Sequence, residues 1–290
     1  AFRSQTVVPE RSHHQVQVPG AADATLLLMP AWRPGGALGI KIATIFPDNI
    51  KKGLPSVNAS YLMLNAGTGQ PVAILDGAEL TARRTAAASA LASKYLSRHD
   101  AGSLLMVGAG KLAPHLIRAH RTVRNLEVAI WARRPEAARR LADELAGESI
   151  SATPVGDLEG AVRDADIVSC ATLATEPLIR GRWLRDGQHL DLVGAFRADM
   201  SEADGEAVTR ADVYVDTYAG ALGEAGEIVQ AMAKGLLKKS DIVGDLFELT
   251  RGTCRPRRSP QTITLFKSVG SALEDLAAAE LATRGELQRG

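Results

Sequence analysis

The stretch SLLMVGAGKLA, residues 103–113, decides the fold of this chain. It opens with a continuous apolar strand pattern, and Gly108, Gly110 and Ala113 follow at the spacing G-x-G-x-x-A. In such a unit the first glycine permits a tight turn, the second lets the backbone approach a pyrophosphate, and the third position keeps the helix close to the strand. Because an apolar strand precedes the pattern and a helical pattern, KLAPHLIRAHRTV, follows it, we predict a dinucleotide site here. The alternative is a glycine turn with a purely structural role.

Strands and helices alternate after this turn. LEVAIWARR reads as a second strand that leads into the helix PEAARRLADEL, and further strands are expected at ADIVSCAT, HLDLVGAF and DVYVDT. Apolar strands that alternate with helices predict a parallel sheet covered by helices on both faces.

The residues before about position 75 follow a different pattern, with short β-rich segments separated by Gly, Pro, Asn and Asp. NAGTGQP is typical of a hairpin connection. An Ala-rich helix, TARRTAAASALASKYL, follows with Thr81 as its expected N-cap, and the chain from ITLFKSV onward reads as helix. We therefore expect an α/β fold in which a nucleotide-type unit is inserted between a β-rich N-terminal part and a helical C-terminal part.

Composition argues against several other classes of protein. The 290 residues are 46% hydrophobic and 23% charged, as in globular proteins that bury a sizeable core. A formal net charge of +1 gives no basic field for nucleic acid or a membrane, and no apolar run approaches the ~20 residues of a membrane span. Cys170 and Cys254 lack the spacing of metal ligands and indicate reduced thiols in a cytoplasmic protein. The start AFRSQ, without Met, indicates that residues were lost before it.

The end of the second strand of the nucleotide-type unit bears on which dinucleotide binds. Enzymes that use NAD carry Asp or Glu there to hold the ribose hydroxyls. Here Ala132, Arg133 and Arg134 end the strand, and a guanidinium in place of the carboxylate favours a 2′-phosphate. The sequence therefore predicts NADPH as the preferred cofactor, with NADH as the second choice. The alternative is that both arginines lie on a solvated surface.

A lysine lies in the middle of the apolar strand GIKIATIF. Ile40 and Ile42 share one face of this strand, and Lys41, Ala43 and Ile45 share the other. Because both faces are largely apolar, we expect the ammonium to be shielded and to need an anionic partner or a lowered pKa. The alternatives are a structural salt bridge and an edge-strand lysine that opposes aggregation.

The helix TARRTAAASALA contains a second unexpected cation. Arg84 lies in the expected first turn, where the helix dipole disfavours positive charge, and it shares an apolar stripe with Ala88 and Leu91. An inward guanidinium near a strand that carries a lysine is suited to bind both oxygens of a carboxylate. The alternative is an arginine that caps a loop carbonyl.

Together these segments resemble the ornithine cyclodeaminase/mu-crystallin family over about residues 7–279. The likeness rests on VPER, GIKIATIFPDN, GTGQPVAILDGAELTARRTAAASALA, VGAG, VGAFRADMSE and FKSVGSALEDLAAA, in the order of the family. It implies a Rossmann-type doubly wound parallel sheet, residues 98–267, inserted into a second α+β domain, residues 1–97 and 268–290, that binds substrate and forms a homodimer. It also implies NAD(H) or NADP(H) and a small amino- or imino-acid substrate.

The resemblance also implies roles for individual residues. Arg11 and Arg84 match the family arginines that bind the substrate carboxylate, and Lys41 matches the active-site lysine. The positions that match contacts near the nicotinamide and the substrate are Thr172, Gly194, Ser268 and Val269, and Ser56 matches a small hydroxyl residue close to the cofactor. Leu112 replaces a glutamine that is common in the Gly-rich turn. We expect the rest of the cofactor site at Gly108, Gly110, Leu112, Ala113 and Arg133.

One departure from the family bears on the reaction. Ornithine cyclodeaminases carry an aspartate after the paired glycines of the fifth Rossmann strand, where Ala195 and Phe196 stand here and Asp199 lies farther along. This stretch is more similar to relatives that reduce cyclic imino acids, namely Δ1-pyrroline-2-carboxylate and Δ1-piperideine-2-carboxylate.

The leading interpretation is therefore NAD(P)H-dependent reduction of such an imino acid, with Lys41 neutralising the carboxylate and supplying a proton to the imine nitrogen. Three alternatives stay open at this point. They are ornithine cyclodeamination with bound NAD, reductive amination of a 2-oxo acid as in alanine dehydrogenases of the family, and NADPH-dependent binding of a small molecule without catalysis, as in mu-crystallin.

Overall fold

The computed structural model of the protein describes residues 1–284, which form two compact units. The first unit comprises Ala1–Arg84 and the segment that starts at Ser271, and the second comprises Thr85–Gly270. The sequence division placed residues 85–97 and 268–270 in the first unit. Here both segments belong to the second, because Ala86 joins its core, Ser89 hydrogen-bonds within it, and Ser268 donates to Asp216 of the same unit. Residues 285–290 of the expected C-terminal segment lie outside the described residues.

The first unit is built on a five-stranded antiparallel sheet in the order β1-β2-β3-β4-β5. Its strands are β1 (Ser12–Val16), β2 (Ala24–Trp32), β3 (Ala37–Ile45), β4 (Val57–Asn65) and β5 (Pro71–Asp76), with a 3-10 helix (Pro47–Lys52) between β3 and β4. The expected hairpin joins β4 to β5, where the Asn65 amide donates to the Gln70 carbonyl at 2.9 Å.

The two faces of this antiparallel sheet differ in what covers them. The pairing register puts Lys41 opposite Met29 on β2 and Tyr61 on β4, so these three side chains share one face. Helix α9 (Ala272–Ala282) packs on this inner face, against β2 and β3. The core between them consists of Met29, Ala31, Ala37, Tyr61, Met63, Leu80, Ala272, Leu276 and Ala279.

The second unit contains an eight-stranded parallel sheet in the order β12-β11-β13-β10-β9-β6-β7-β8. The strands are β6 (Ser103–Val107), β7 (Glu127–Trp131), β8 (Ala152–Pro154), β9 (Ile167–Cys170), β10 (His189–Leu192), β11 (Asp212–Val215), β12 (Ile242–Asp245) and β13 (Thr264–Lys267). The order reverses at β6, with β7 and β8 on one side and β9 and β10 on the other. In this doubly wound topology, ligands bind outside the carboxyl ends of the strands at the reversal.

Helices cover both faces of the parallel sheet, as the alternating pattern predicts. They are α2 (Ala113–Val123), α3 (Pro135–Ala146), α4 (Leu158–Asp164), α5 (Gly205–Arg210), α6 (Tyr218–Glu224), α7 (Gly226–Ala233) and α8 (Leu246–Arg251), together with the later part of α1 (Gly77–Leu96). Leu105 and Val107 belong to one buried core, whereas Leu104 and Met106 belong to another. Neighbouring residues of β6 therefore enter different cores, which is why its sequence is apolar throughout.

Two local expectations were wrong. Helix α1 begins at Gly77, about one turn earlier than expected, because Asp76 is its N-cap and accepts from the Ala78 and Glu79 amides at 2.8 and 3.0 Å. Thr81 lies inside the helix and donates to the Gly77 carbonyl at 2.6 Å. The segment ITLFK, expected as helix, contains strand β13, whose residues are all buried between β10 and β11.

Candidate active site

Lys41 lies in the middle of β3 with 4% of its surface exposed. Its Nζ lies 2.8 Å from Asp275 Oδ2 and 3.1 Å from Asp275 Oδ1, and 3.4 Å from Thr81 Oγ1. Asp275 is on α9 and is fully buried. A shielded ammonium with an anionic partner is what the apolar strand pattern predicts.

Arg84 contacts the same carboxylate and is 7% exposed. Its Nε donates to Asp275 Oδ1 at 2.9 Å, and its Nη1 donates to Glu274 Oε2 at 2.7 Å. Because α1 begins at Gly77, Arg84 lies about two turns into the helix, so the expected conflict with the helix dipole does not arise. The neighbouring Arg83 is exposed and pairs with a glutamate of its own helix.

Arg11 immediately precedes β1 and is half-buried. Ser12 pairs with Leu28, so continuing the register by one residue puts Arg11 beside Met29, which is itself the β2 neighbour of Lys41. The charge of Arg11 acts on the Lys41 ammonium. The structure therefore brings Arg11, Lys41 and Arg84 together on the inner face of the antiparallel sheet.

The pKa of Lys41 is lowered to about 8, first by burial and then by the nearby charge of Arg84. Asp275 opposes both effects through its charge and its hydrogen bond, and Arg11 adds a smaller lowering. An ammonium with this pKa is mostly protonated at neutral pH, yet it releases its proton far more readily than an exposed lysine does. Such a group is suited to general acid catalysis.

The site combines three cations with two carboxylates. We call Arg11, Lys41, Arg84, Glu274 and Asp275 the Lys41 cluster. Lys41 and Arg84 share the Asp275 carboxylate, and Glu274 makes a second contact with Arg84. The cluster thus brings a guanidinium and an ammonium of lowered pKa to one place, which suits it to bind a small carboxylate and to place an acidic proton beside it.

The Gly-rich turn of the second unit joins β6 to α2, as expected. Gly108 has a φ of +111°, in the left-handed region that favours glycine, and a Cβ there would lie 2.6 Å from the Ala171 carbonyl oxygen. A Cβ at Gly110 would meet nothing within 4 Å, so open space adjoins the turn. Ala113 is fully buried at the first residue of α2. These features fit a pyrophosphate at the N-terminus of α2.

Thr172 and Gly194 lie in the loops after β9 and β10, at the same carboxyl edge of the sheet. The two loops touch, since a Cβ at Gly194 would overlap the Thr172 backbone. Glu202 joins them: its Oε1 accepts from the Thr172 amide at 2.7 Å and its Oε2 from the Gly194 amide at 2.7 Å.

Ser268 and Val269 follow β13 at this edge as well. Asp216 Oδ2 accepts from Ser268 Oγ at 3.1 Å and from the amides of Val269 and Gly270 at 2.8 and 2.6 Å. Thr172, Gly194, Ser268 and Val269 thus lie along the same edge as the Gly-rich turn, where the fold of this unit positions ligands.

The remaining expected cofactor residues make less specific contacts. Leu112 lies between Gly110 and α2 and is half-buried, and Arg133 is exposed just after β7. Ser56 belongs to the first unit, where its carbonyl accepts from the Phe46 amide at 2.8 Å. It lies roughly 16 Å along β4 from Tyr61, the cross-strand neighbour of Lys41, so it is not part of the Lys41 cluster.

The sequence pattern of the ornithine cyclodeaminase/mu-crystallin family matches residues 1–284. The Δ1-pyrroline-2-carboxylate reductase of Paracoccus denitrificans is 40% identical over 286 residues, which cover 98% of this chain and 90% of that protein. The structure of the Thermococcus litoralis Δ1-pyrroline-2-carboxylate reductase with NADH and L-proline matches with a TM-score of 0.90 at 36% identity, covering 99% of this chain and 88% of that one. An archaeal alanine dehydrogenase dimer with bound NAD also gives a TM-score of 0.90, at 29% identity, covering 99% of this chain and 89% of that one.

The match over every described residue decides the relationship. The chain belongs to the ornithine cyclodeaminase/mu-crystallin family. The resemblance inferred from the sequence motifs is confirmed, and so is the α/β class with a parallel Rossmann-type sheet and a separate antiparallel sheet. In the region where the resemblance led us to expect an aspartate in a cyclodeaminase, Ala195 is fully buried, and Asp199 is exposed and paired with Arg197 at 2.9 Å.

Sequence reasoning missed four buried carboxylates of this family member, Glu202, Asp216, Glu274 and Asp275. A signal existed for the last two, because an acidic pair in the apolar helix SALEDLAAA is as unusual as a lysine in an apolar strand. Glu202 lies in an irregular loop after a polar stretch, and nothing local distinguishes it from a solvated residue.

Neither a membrane span nor a metal centre is found in the part of the chain that the structure describes. No helix among residues 1–284 is long and apolar enough to cross a bilayer. Within the same residues, His, Cys, Asp and Glu side chains form no group of three or more that could hold a metal ion.

Proposed function

We propose that this family member reduces a cyclic imino acid, Δ1-pyrroline-2-carboxylate or Δ1-piperideine-2-carboxylate, to the corresponding cyclic amino acid with NAD(P)H. The observation that carries the proposal is the Lys41 cluster, in which a buried guanidinium and a buried ammonium of lowered pKa meet at one carboxylate. Relatives named Δ1-pyrroline-2-carboxylate reductase support the same substrate class.

Arg11 and Arg84 bind the carboxylate of the imino acid in this proposal. A planar guanidinium presents parallel N–H donors to both carboxylate oxygens, so it fixes the orientation of the ring as well as its position. Arg84 is itself fixed by Asp275 and Glu274, which limits the entropy lost when substrate binds. Val269, which follows β13, stays a proposed substrate contact from the family resemblance.

Lys41 neutralises the same carboxylate and donates a proton to the imine nitrogen, directly or through a water. Protonation increases the electrophilicity of C2, the carbon that becomes the α-carbon of the amino acid. When bound, the reduced nicotinamide supplies the hydride that C2 accepts. With a pKa of about 8, Lys41 stays mostly protonated at neutral pH, and the free-energy cost of moving its proton to the imine nitrogen is lower than for an ordinary lysine.

A nicotinamide dinucleotide is proposed at the carboxyl edge of the parallel sheet. Gly108, Gly110, Leu112 and Ala113 hold the pyrophosphate, and Thr172, Gly194 and Ser268 lie on the nicotinamide side. Arg133 is exposed just after β7, where enzymes that use NAD carry Asp or Glu, so it favours the 2′-phosphate of NADPH over the free ribose of NADH. Ser56 stays a prediction from the family resemblance.

The absence of the cyclodeaminase aspartate favours reduction over ornithine deamination. In that region Ala195 cannot accept a proton, and Asp199 is already paired with Arg197 on the surface. The proposal therefore includes net consumption of NAD(P)H without release of ammonia.

A homodimer is part of the proposal and uses the outer face of the antiparallel sheet. The register places a continuous apolar surface there, opposite the Lys41 face: Leu28, Pro30, Trp32, Leu38, Ile40, Ile42, Leu62, Leu64 and Ile74. Ile74 is 77% exposed and Ile42 is 37% exposed, and none of the others is fully buried. Contiguous exposed apolar area of this kind is typical of an interface, and a second copy of the chain is the proposed occupant.

The cytoplasmic location expected from the two free cysteines stays a prediction.

The test is a spectrophotometric comparison of three substrates with both cofactors. We expect oxidation of NADPH, and more slowly of NADH, with Δ1-pyrroline-2-carboxylate and Δ1-piperideine-2-carboxylate. Ornithine with NAD⁺ should give neither ammonia nor proline. Ammonia release from ornithine, or oxidation with neither imine, would contradict the proposal.

A further inference from the structure

Two buried carboxylates lie behind the loops that carry the proposed nicotinamide-side residues. Glu202, in the loop between β10 and α5, is fully buried. Its Oε1 accepts from the Thr172 amide at 2.7 Å and from Thr172 Oγ1 at 2.8 Å, and its Oε2 accepts from the Gly194 amide at 2.7 Å. One side chain therefore ties the loop after β9 to the loop after β10.

Glu202 is itself held firmly. Its amide donates to Glu227 Oε1 at 2.6 Å, and its carbonyl accepts from the Leu178 and Ile179 amides at 2.9 Å each. Glu227 in turn pairs with the fully buried Lys267 of β13 at 3.0 Å. The carboxylate of Glu202 is thus a fixed point against which the two loops are aligned.

Asp216 has the same relationship to the loop after β13. It is fully buried, and its Oδ2 accepts hydrogen bonds from Ser268 Oγ and from the amides of Val269 and Gly270, at 2.6 to 3.1 Å. Three consecutive donors on one oxygen fix the course of that loop. Hydrogen bonds to a charged acceptor are the stronger kind, so losing the charge should loosen these loops measurably.

We propose that Glu202 and Asp216 are positioning residues for the nicotinamide half of the dinucleotide. Glu202 acts through Thr172 and Gly194, and Asp216 acts through Ser268 and Val269. In a doubly wound sheet, the mononucleotide half that begins at the first strand holds one end of the dinucleotide, and the half beyond the reversal holds the other. The loops that these carboxylates fix all follow strands beyond the reversal at β6, whereas the Gly-rich turn and Arg133 belong to the first half. The inference rests on the proposed function, because it assumes that a nicotinamide dinucleotide binds at this edge.

Asp191 supplies a matched control from the same sheet. It lies in β10 and is fully buried, and its partners are the side chains of Ser89, Ser169 and His120 at 2.8, 2.6 and 3.1 Å. Replacing it removes a buried, hydrogen-bonded carboxylate without removing a bond to the loops after β9, β10 or β13. Any general cost of losing such a group in the core should appear in this variant too.

The experiment compares two ligands for wild type, Glu202→Gln, Asp216→Asn and Asp191→Asn. One ligand is NADPH or NADH, whichever the wild type binds more tightly, and the other is the matching ADP-ribose, with or without its 2′-phosphate, which lacks nicotinamide. We expect E202Q and D216N each to weaken binding of the whole dinucleotide about tenfold and of the ADP-ribose less than about twofold. D191N should change both dissociation constants by the same factor. Hydrogen exchange at the Thr172 and Gly194 amides should accelerate in E202Q and not in D191N.

The outcomes separate this inference from the proposed function. If the wild type binds neither dinucleotide, the proposed function fails. If it binds one, and E202Q and D216N weaken both ligands equally or neither, the positioning role is overturned. If E202Q does not fold, Glu202→Asp takes its place, because its shorter side chain cannot reach both loops, and the same two-ligand comparison applies.

Discussion

Lys41 is subject to opposing influences, and their balance decides what it can do. Burial and the charges of Arg84 and Arg11 disfavour its ammonium, whereas Asp275 stabilises it at 2.8 Å. The result is a pKa of about 8 instead of 10.5. Without the carboxylate the lysine would tend toward the neutral form, and without burial it would be an ordinary surface lysine.

Replacing Lys41 tests its role as proton donor. We expect Lys41→Met to lower kcat for imine reduction by at least about 100-fold, because the acid is removed, while the dissociation constant of NADPH changes less than about twofold. Lys52→Met, at an exposed lysine of the 3-10 helix, is the control and should retain activity. A loss of NADPH affinity that parallels the loss of turnover would argue against this role.

Asp275 should set the pH range of the reaction. A general acid works in its protonated form, so kcat/KM for imine reduction should fall as pH rises through about 8, the pKa of Lys41. Asp275 raises that pKa, so Asp275→Asn should move the alkaline limb to lower pH. Profiles of kcat/KM between pH 6 and pH 10 measure the shift. Glu280→Gln is the control. It removes a carboxylate of the same helix, one that pairs with Arg33, and should leave the alkaline limb in place. An alkaline limb that stays near pH 8 in D275N would contradict the assignment.

At this scale the sequence predicted the cations better than their partners. Lys41 and Arg84 were conspicuous because each is a charge at a position whose neighbours are apolar. Arg11 precedes a strand at a half-buried position and stands out only through the family resemblance. Glu202 and Asp216 could not be assigned to the loops they fix, because those contacts join segments up to 54 residues apart in the chain.

Helix α1 shows how element boundaries depend on a single cap. The pattern TARR suggested Thr81 as N-cap, yet Asp76 forms the cap and the helix starts at Gly77. We expect Asp76→Ala to lower the free energy of unfolding by about 1 kcal/mol, because two amides of the first turn lose their acceptor. Thr81→Val should cost less than this, since its hydroxyl donates to a carbonyl that is already within the helix and its contact with Lys41 Nζ is long, at 3.4 Å. Urea denaturation of both variants decides between the two caps. A larger loss of unfolding free energy in Thr81→Val than in Asp76→Ala would indicate that Thr81 is the N-cap.

The elements that the sequence did not predict are short, and in one case a strong helical pattern follows closely in the sequence. Strands β8 and β12 have three and four residues, too few for a periodic signal. Strand β13 is also only four residues long, and the helical pattern of SALEDLAAA begins shortly after it. The long apolar strands and the Gly-rich turn, by contrast, carry their own signal and were correctly placed.

At the scale of the whole molecule, the exposed apolar face of the antiparallel sheet leads to a prediction about assembly. We expect sedimentation equilibrium to give twice the chain mass of 30.7 kDa. Ile74→Glu, on that face, should shift the equilibrium toward monomer by at least about 100-fold, because a charge would be buried in the interface. Leu281→Glu, on α9 and 61% exposed, is the matched control and should remain dimeric. A wild type that sediments as a monomer at micromolar concentration contradicts the proposal.

The central claim is that a cluster of cations binds the carboxylate of the imine that is reduced. Its most direct test is the ratio of kcat/KM for Δ1-pyrroline-2-carboxylate to that for Δ1-pyrroline, the same ring without the carboxylate, at saturating NADPH. Charge-assisted hydrogen bonds from two arginines and a lysine predict a ratio of about 1,000 or more. A ratio below about ten would contradict the account.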